Sequence, residues 1–355
     1  MAFSSMPLSL SFNYNVGISL LVTMVCLVVT GLLSVFFYSP SLDTAFSLLV
    51  ANESYFHGLL RVFHNNLANL LFVFLFAHIV RSWFLSNSSH TFVLLTGLAI
   101  FFLACGVAFL GYCLPIGQLS FWACIVILNL LTVLPYGNTL VIAILGDYSI
   151  CSRTVGLFLT LHYLLPFAVL GLVVLHFHFL HSTLSAQGLD SYNTTFTPYF
   201  LNLDVFVVCL FFLFLSVFVL RSHFYFFESV NWVHWSSTTT PTHIKPDWFF
   251  LFAYACLRAV DSKLVGVLYM VAILLLLFVP YVFSPWPYNQ LAGCFFLASY
   301  LCLFFWGNSV VFATFNCLIL AVTFAILATV LFFLVYLAIR EMALNENFSL
   351  STKCY

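Results

Sequence analysis

Apolar positions in this chain come as long unbroken runs rather than as one-sided stripes. They fall at about 13–37, 67–85, 91–113, 155–180, 204–221, 264–284, 290–307 and 314–339, the second beginning near Leu60. Each approaches the roughly 20 residues that carry a helix across a hydrocarbon core of about 30 Å. The pattern predicts an all-α polytopic membrane protein with eight transmembrane helices. The run Phe121–Leu134 is too short to cross, stops at Pro135-Tyr136-Gly137-Asn138 and resumes only to Gly146. It reads as a surface helical hairpin over about 121–149. Polar segments at 182–198 and 228–263 join the fourth span to the fifth and the fifth to the sixth. The chain thus divides into an N-terminal bundle, 1–200, and a C-terminal membrane part, 201–355.

Composition narrows the class. With 64% hydrophobic residues, 5% charged residues and 45 Phe, no soluble domain is in view. A net charge of −1, no basic run and no Gly-rich phosphate loop give no footing for nucleic acid. Met1–Tyr14 holds no Lys or Arg, so no cleavable leader is expected. Eleven cysteines stand singly, without CxxC or CxxCH. They read as small buried apolar groups, with no motif for covalent attachment of a cofactor.

Against that apolar background four histidines stand out. His64 and His78 are 14 residues apart, as are His162 and His176. Fourteen residues turn a helix by four turns less about 40° and advance it roughly 21 Å, so each pair shares one face at two depths. Ionisable side chains in hydrocarbon are costly and mark function. The repeated spacing suits two axially ligated cofactors, with hydrogen-bonded core histidines or a proton relay as the alternatives. One span separates the two His-bearing helices, so they run parallel. His64 is then level with His162, and His78 with His176. His178 lies about 160° around the helix from His162 and is a poor ligand candidate.

Glycine repeats the period. Gly17 and Gly31 are 14 apart in the first span, and Gly97 and Gly111 are 14 apart in the third. Glycine in a membrane helix serves close helix packing. Its match to the histidine period suggests instead that the first and third spans make room for flat cofactors. Arg61 lies three residues before His64 and Arg81 three after His78. Both suit anionic haem propionates or, alternatively, snorkelling at the membrane edge.

With these features the chain resembles cytochrome b of the respiratory ubiquinol–cytochrome c reductase, complex III. Two further segments carry the resemblance: Gly111-Tyr-Cys-Leu-Pro-Ile-Gly-Gln-Leu-Ser-Phe-Trp122, and Pro241-Thr-His-Ile-Lys-Pro-Asp-Trp-Phe-Phe-Leu-Phe-Ala-Tyr254. The resemblance implies eight transmembrane helices, the first four bundled around two b-type haems. It implies a low-potential haem iron on His64 and His162 near the intermembrane space, and a high-potential haem iron on His78 and His176 near the matrix. It implies an outer quinol-oxidising pocket with Asp247 and Tyr254, walled by the hairpin near Ala123. An inner quinone-reducing pocket would use His181 and Asp204, with Asn15 close by. The implied partners are a Rieske iron–sulfur protein and a c-type cytochrome in a homodimeric complex, with ubiquinol as substrate and membrane lipid around it. The implied activity is bifurcated quinol oxidation coupled to proton translocation.

The sequence departs from the family at several points. Asp247-Trp248-Phe249 replaces Glu-Trp-Tyr, Ile116 replaces a Trp, Tyr14 stands where Trp is frequent, and Leu203 replaces a lysine. The continuous chain and short loops point to a mitochondrial inner-membrane form. The Lys and Arg distribution alone gives the opposite orientation, since Arg61, Arg153, Arg221, Lys245, Arg258 and Lys263 lie on the implied outer side. Two other readings compete. A dihaem anchor of another dehydrogenase accounts for the histidines but not for eight spans. A haem-free histidine-relay transporter leaves the glycine period without a reason.

Overall fold

A computed structural model describes residues 5–7, 15–51, 56–85, 91–183, 193–195, 201–222, 228–278, 297–298 and 300–301. The expected spans at 290–307 and 314–339 lie almost wholly outside the described residues, as does Tyr14. The chain forms two compact units, 1–245 and 246–355, each taken by itself below.

Among the described residues, four helices, all in the first unit, are long and apolar enough to cross a membrane. They are α1 (Val16–Val35), α3 (Phe56–Leu85), α4 (Thr91–Cys113) and α7 (Ser152–Thr183). A short helix, α2 (Ala45–Ala51), follows α1. The expected hairpin is present as α5 (Gln118–Leu130), a 3-10 turn at Leu131–Val133, and α6 (Gly137–Leu145). Helix α8 (Leu201–Ser222) packs on α1 and α3, burying Phe211 and Leu215 against Val62, Leu67 and Leu70. The first unit therefore reaches past residue 200, the position at which the apolar runs alone divide the chain. Among the described residues the only sheet is a three-residue antiparallel pair, β1 (Ser5–Pro7) with β2 (Asn193–Thr195).

Helix is what these runs must form, because hydrocarbon offers no partner for an open backbone group. The outer surface suits that solvent: Val29 is 51% exposed and Val174 is 67% exposed. The interior holds polar residues that return their hydrogen bonds to their own helix. Ser19 donates to the Asn15 carbonyl, Thr23 to that of Ser19, and Asn66 to that of Val62. Within the bundle α1 lies mainly against α3, and α4 mainly against α7. Each His-bearing helix thus meets one Gly-bearing helix.

Two turns bracket the hairpin. Helix α6 ends at Gly146, whose φ of 77° lies in the left-handed region that glycine enters without strain. The α4–α5 turn places Ile116 at φ 50°, which is unusual for a β-branched residue. Ile116 is held there by burial against Ala45 and Val155.

The amino end of α5 is latched by the segment 231–239. Its Gln118 N–H donates to the Val233 carbonyl at 2.9 Å, and its Ser120 N–H to Asn231 Oδ1 at 3.0 Å. The Ser236 N–H donates to Gln118 Oε1 at 2.7 Å, and Gln118 Nε2 donates to the Thr239 carbonyl. Trp122 Nε1 reaches the Ser236 carbonyl at 3.0 Å, and Phe121 stacks on Trp235 at 4.8 Å.

The second unit contains a 3-10 turn at Trp248–Phe250, α9 (Leu251–Arg258) and α10 (Lys263–Leu276). Helices α9 and α10 pack on each other. Phe252, Ala255 and Cys256 are fully buried within this unit, and the Tyr300 hydroxyl donates to the Ile273 carbonyl at 2.7 Å.

Candidate functional site

Helices α3 and α7 bring the four histidines together in two levels. The rings of His64 and His162 have centres 6.1 Å apart, and those of His78 and His176 are 6.3 Å apart. These are the two pairs that span parity sets level with each other.

The hydrogen bonds around the rings decide which nitrogen keeps its lone pair. Thr30 Oγ1 donates its single proton to the Cys26 carbonyl at 2.8 Å. Donating there, or to the Leu27 carbonyl at 3.2 Å, leaves the hydroxyl to accept from His64 Nδ1, 3.0 Å away. Thr96 repeats the arrangement: its hydroxyl donates to the Phe92 carbonyl at 2.8 Å and accepts from His176 Nδ1 at 3.0 Å. His162 Nδ1 donates to the Val107 carbonyl at 2.9 Å. The Val107 carbonyl requires the proton on Nδ1 of His162, and the threonine bonds favour the same tautomer in His64 and His176, which leaves Nε2 as the basic nitrogen. Such outer hydrogen bonds are how a metal-binding histidine is oriented and made more basic. The fourth ring, His78, has a buried Nδ1 with no hydrogen-bond partner among the described residues.

The spacing also fits ligation. Two imidazoles with a metal about 2 Å from each nitrogen stand with ring centres roughly 6 Å apart, the separation seen at both levels. Among the described residues no group of three or more His, Cys, Asp or Glu side chains could hold an ion. Two histidines per level therefore suit a metal whose remaining ligands come from a macrocycle.

Three of the four glycines face these rings. A Cβ on Gly111 would lie 2.5 Å from His162 Cε1, one on Gly31 3.1 Å from His64 Cε1, and one on Gly97 3.4 Å from His176 Cε1. At Gly17 no atom lies within 4 Å. The 14-residue period thus has a double origin. Three glycines admit imidazole edges, and one borders open space. Beside the His64–His162 pair lies a largely apolar cavity of about 100 Å³, lined by Gly31, His64, His162, Ala68 and Pro166. A water site needs only about 10–15 Å³, so this space exceeds a packing defect. Pro166 has no N–H, so the carbonyl of His162, one turn earlier, lacks its intrahelical partner.

The remaining sequence-nominated residues divide. Arg61 places its guanidinium 4.9 Å over the ring of Trp232, a cation–π contact. Arg81 lies in the last turns of α3, three residues past His78. Asp204 sits in the first turn of α8 and accepts a hydrogen bond from Asn15 Nδ2. His181 is exposed and stacks on Phe177 of its own helix, and no hydrogen bond joins it to Asp204. Ala123 is buried in α5. In the second unit Asp247 precedes the 3-10 turn that leads into α9, and the Phe250 N–H donates to its carbonyl at 2.9 Å. The Tyr254 hydroxyl accepts from Arg258 Nη1 at 3.1 Å.

Thr30, Thr96 and Trp232 are not found by reading the histidine spacing. The threonines do leave a signal: each forms a Thr-Gly pair, Thr30-Gly31 and Thr96-Gly97, directly before a glycine of the periodic set. Trp232 leaves none, because its partner is 171 residues earlier in the chain.

Residues 2–184 match the family model described as Cytochrome b/b6/petB, and residues 236–342 match Cytochrome b(C-terminal)/b6/petD. The chain is 37% identical over 279 residues to a Cytochrome b of Brachionus plicatilis, covering 77% of this chain and 74% of that one. It is 38% identical over 283 residues to a Cytochrome b of Albinaria caerulea, covering 77% of each. Among solved structures it is similar to a hyperthermophilic respiratory Complex III chain, with a TM-score of 0.83 over 93% of this chain and 91% of that chain. Their sequence identity is 24%, so that likeness is one of fold.

Proposed function

The chain belongs to the cytochrome b family, and from that premise we propose that it is the haem-bearing membrane subunit of a ubiquinol–cytochrome c reductase. In this reading it has eight transmembrane helices and lies in the mitochondrial inner membrane, within a homodimeric complex. His64 and His162 hold the outer, low-potential b-type haem, and His78 and His176 the inner, high-potential one. Held by these four imidazoles, such haems would supply one-electron transfer rather than oxygen binding.

The chain's own residues set the conditions. Thr30, Val107 and Thr96 hold the proton on Nδ1 of three ligands. Apolar walls line the cavity beside the outer pair. At the outer face quinol gives up two electrons and two protons, one proton to Asp247 and the other to the water of that face, with Tyr254 following seven residues later in α9. At the inner face quinone takes up two protons and two electrons, with His181 and Asp204 as donors and Asn15 orienting the Asp204 carboxyl. One quinol electron leaves through a Rieske iron–sulfur partner to a c-type cytochrome. The other crosses the membrane to the inner quinone, whose two-electron reduction is completed by a second quinol oxidation, and this division couples oxidation to proton translocation.

The observation that carries this reading is the stacking of two histidine pairs, with centres 6.1 and 6.3 Å apart and Nδ1 committed in three of four rings. The test is a reduced-minus-oxidised spectrum with haem quantification on the purified complex. Two b-type haems per chain are expected. One haem or none would sink the proposal.

A further inference from the structure

His57 lies seven residues before His64 on α3, two turns outward on nearly the same face. It is only 4% exposed, and its ring lies 5.1 Å from that of Phe37, just past the end of α1. Its Nδ1 is buried and has no hydrogen-bond partner among the described residues. A buried polar atom left without a partner is rare and costly, so a native one calls for an occupant. Arg61, one turn from His57, has its guanidinium over Trp232. The outer end of the His64 level therefore holds a buried imidazole nitrogen without a partner, with a cation one turn away.

We propose that His57 is a haem-binding residue that donates its Nδ1–H to a carboxylate of the outer haem. The inference rests on the two-haem reading above and extends it to a residue outside the 14-residue pattern. Haem is apolar except for its two carboxylate arms, and an anion beside a low-dielectric interior needs a donor. Imidazole supplies one without adding a permanent charge. By drawing charge from the carboxylate, the bond disfavours the ferric state relative to the ferrous. It therefore raises the potential of the outer haem and leaves the inner haem unaffected, in line with the control of haem potentials by surrounding hydrogen bonds.

The test is a redox titration of both haems in the assembled complex, carrying His57→Phe or His57→Leu, which lack the donor, or His57→Gln, which keeps an N–H. Either donor-free variant should lower the midpoint potential of the outer haem and leave the inner haem at its parental value. His57→Gln should recover part of the shift. An unmoved outer haem, equal movement of both haems, or a His57→Gln value matching the donor-free variants would overturn the proposal. A measurement on the parent complex requires no substitution. With 15N-labelled histidine, reduction of the outer haem should move a histidine-linked infrared band together with a carboxylate band. Absence of that pair also overturns the proposal. If the parent does not titrate as two b-type haems, the two-haem reading itself fails. If it does and the outer haem ignores His57, only this inference fails.

Discussion

Alanine at Gly111 offers a quantitative test of how tightly the bundle is built around its histidines. The new Cβ would meet His162 Cε1 at 2.5 Å and both ring nitrogens at 3.1 Å. The ring must shift, which costs about 1–3 kcal/mol of overpacking. Shifting also strains the 2.9 Å bond to the Val107 carbonyl, worth about 0.5–1.5 kcal/mol. Against this, alanine gains about 1 kcal/mol of helix propensity over glycine. The net loss is about 0.5–3.5 kcal/mol, and its midpoint of about 2 kcal/mol is roughly a thirtyfold weaker hold on the outer haem. Gly31→Ala, at 3.1 Å from His64, should lose less, and Gly97→Ala, at 3.4 Å from His176, least. The assay is transfer of haem to an excess of apo-acceptor protein, followed at the bands of the two haems separately. Were Gly97→Ala to release haem faster than Gly111→Ala, or Gly111→Ala to empty only the inner site, the steric argument would be refuted.

Four more outcomes follow from the same geometry. His78→Leu should remove the inner haem and leave the outer site occupied, as read by difference spectra; loss of the outer haem alone would contradict the pairing. Thr30→Val removes the acceptor for His64 Nδ1 and should weaken the outer haem about 10- to 100-fold, with the inner haem retained. Gly17→Ala meets no protein atom within 4 Å, so helix content and thermal stability without haem should not fall. Inner haem content should fall all the same, and unchanged content would mean that nothing occupies that space. Asp247→Asn should slow quinol oxidation at the outer face more than quinone reduction at the inner face, and equal slowing in site-selective turnover assays would argue against a local proton role.

The parts of this site that depend on periodicity are legible in the sequence. His64, His78, His162 and His176 fall into level pairs because a helix converts spacing into direction, and apolar runs fix which segments are helices. The hairpin was legible too, because Pro135 and Gly137 interrupt its run. What escapes is contact between distant segments. Nothing around Arg61 points to Trp232, and nothing around Gln118 points to Ser236 and Thr239. The glycine period signals room, and at three of the four positions the nearest occupant is an imidazole edge. Sequence spacing says that room is needed and not what fills it. The division of the chain near residue 200 follows the apolar runs, whereas compactness carries the first unit to 245, because Phe211 and Leu215 bury themselves against α3.

The latch on α5 sets an order of events during synthesis. Ser120 is fully buried and Gln118 nearly so, and their partners lie between 111 and 121 residues further along the chain. At about 5–20 residues per second, that delay is roughly 6–24 s. Throughout it, burying either group without its partner costs about 1–3 kcal/mol. The amino end of α5 therefore stays hydrated until residue 239 has emerged. The end of the bundle where Gln118 lies is closed last, long after the helices that carry the histidines have been made.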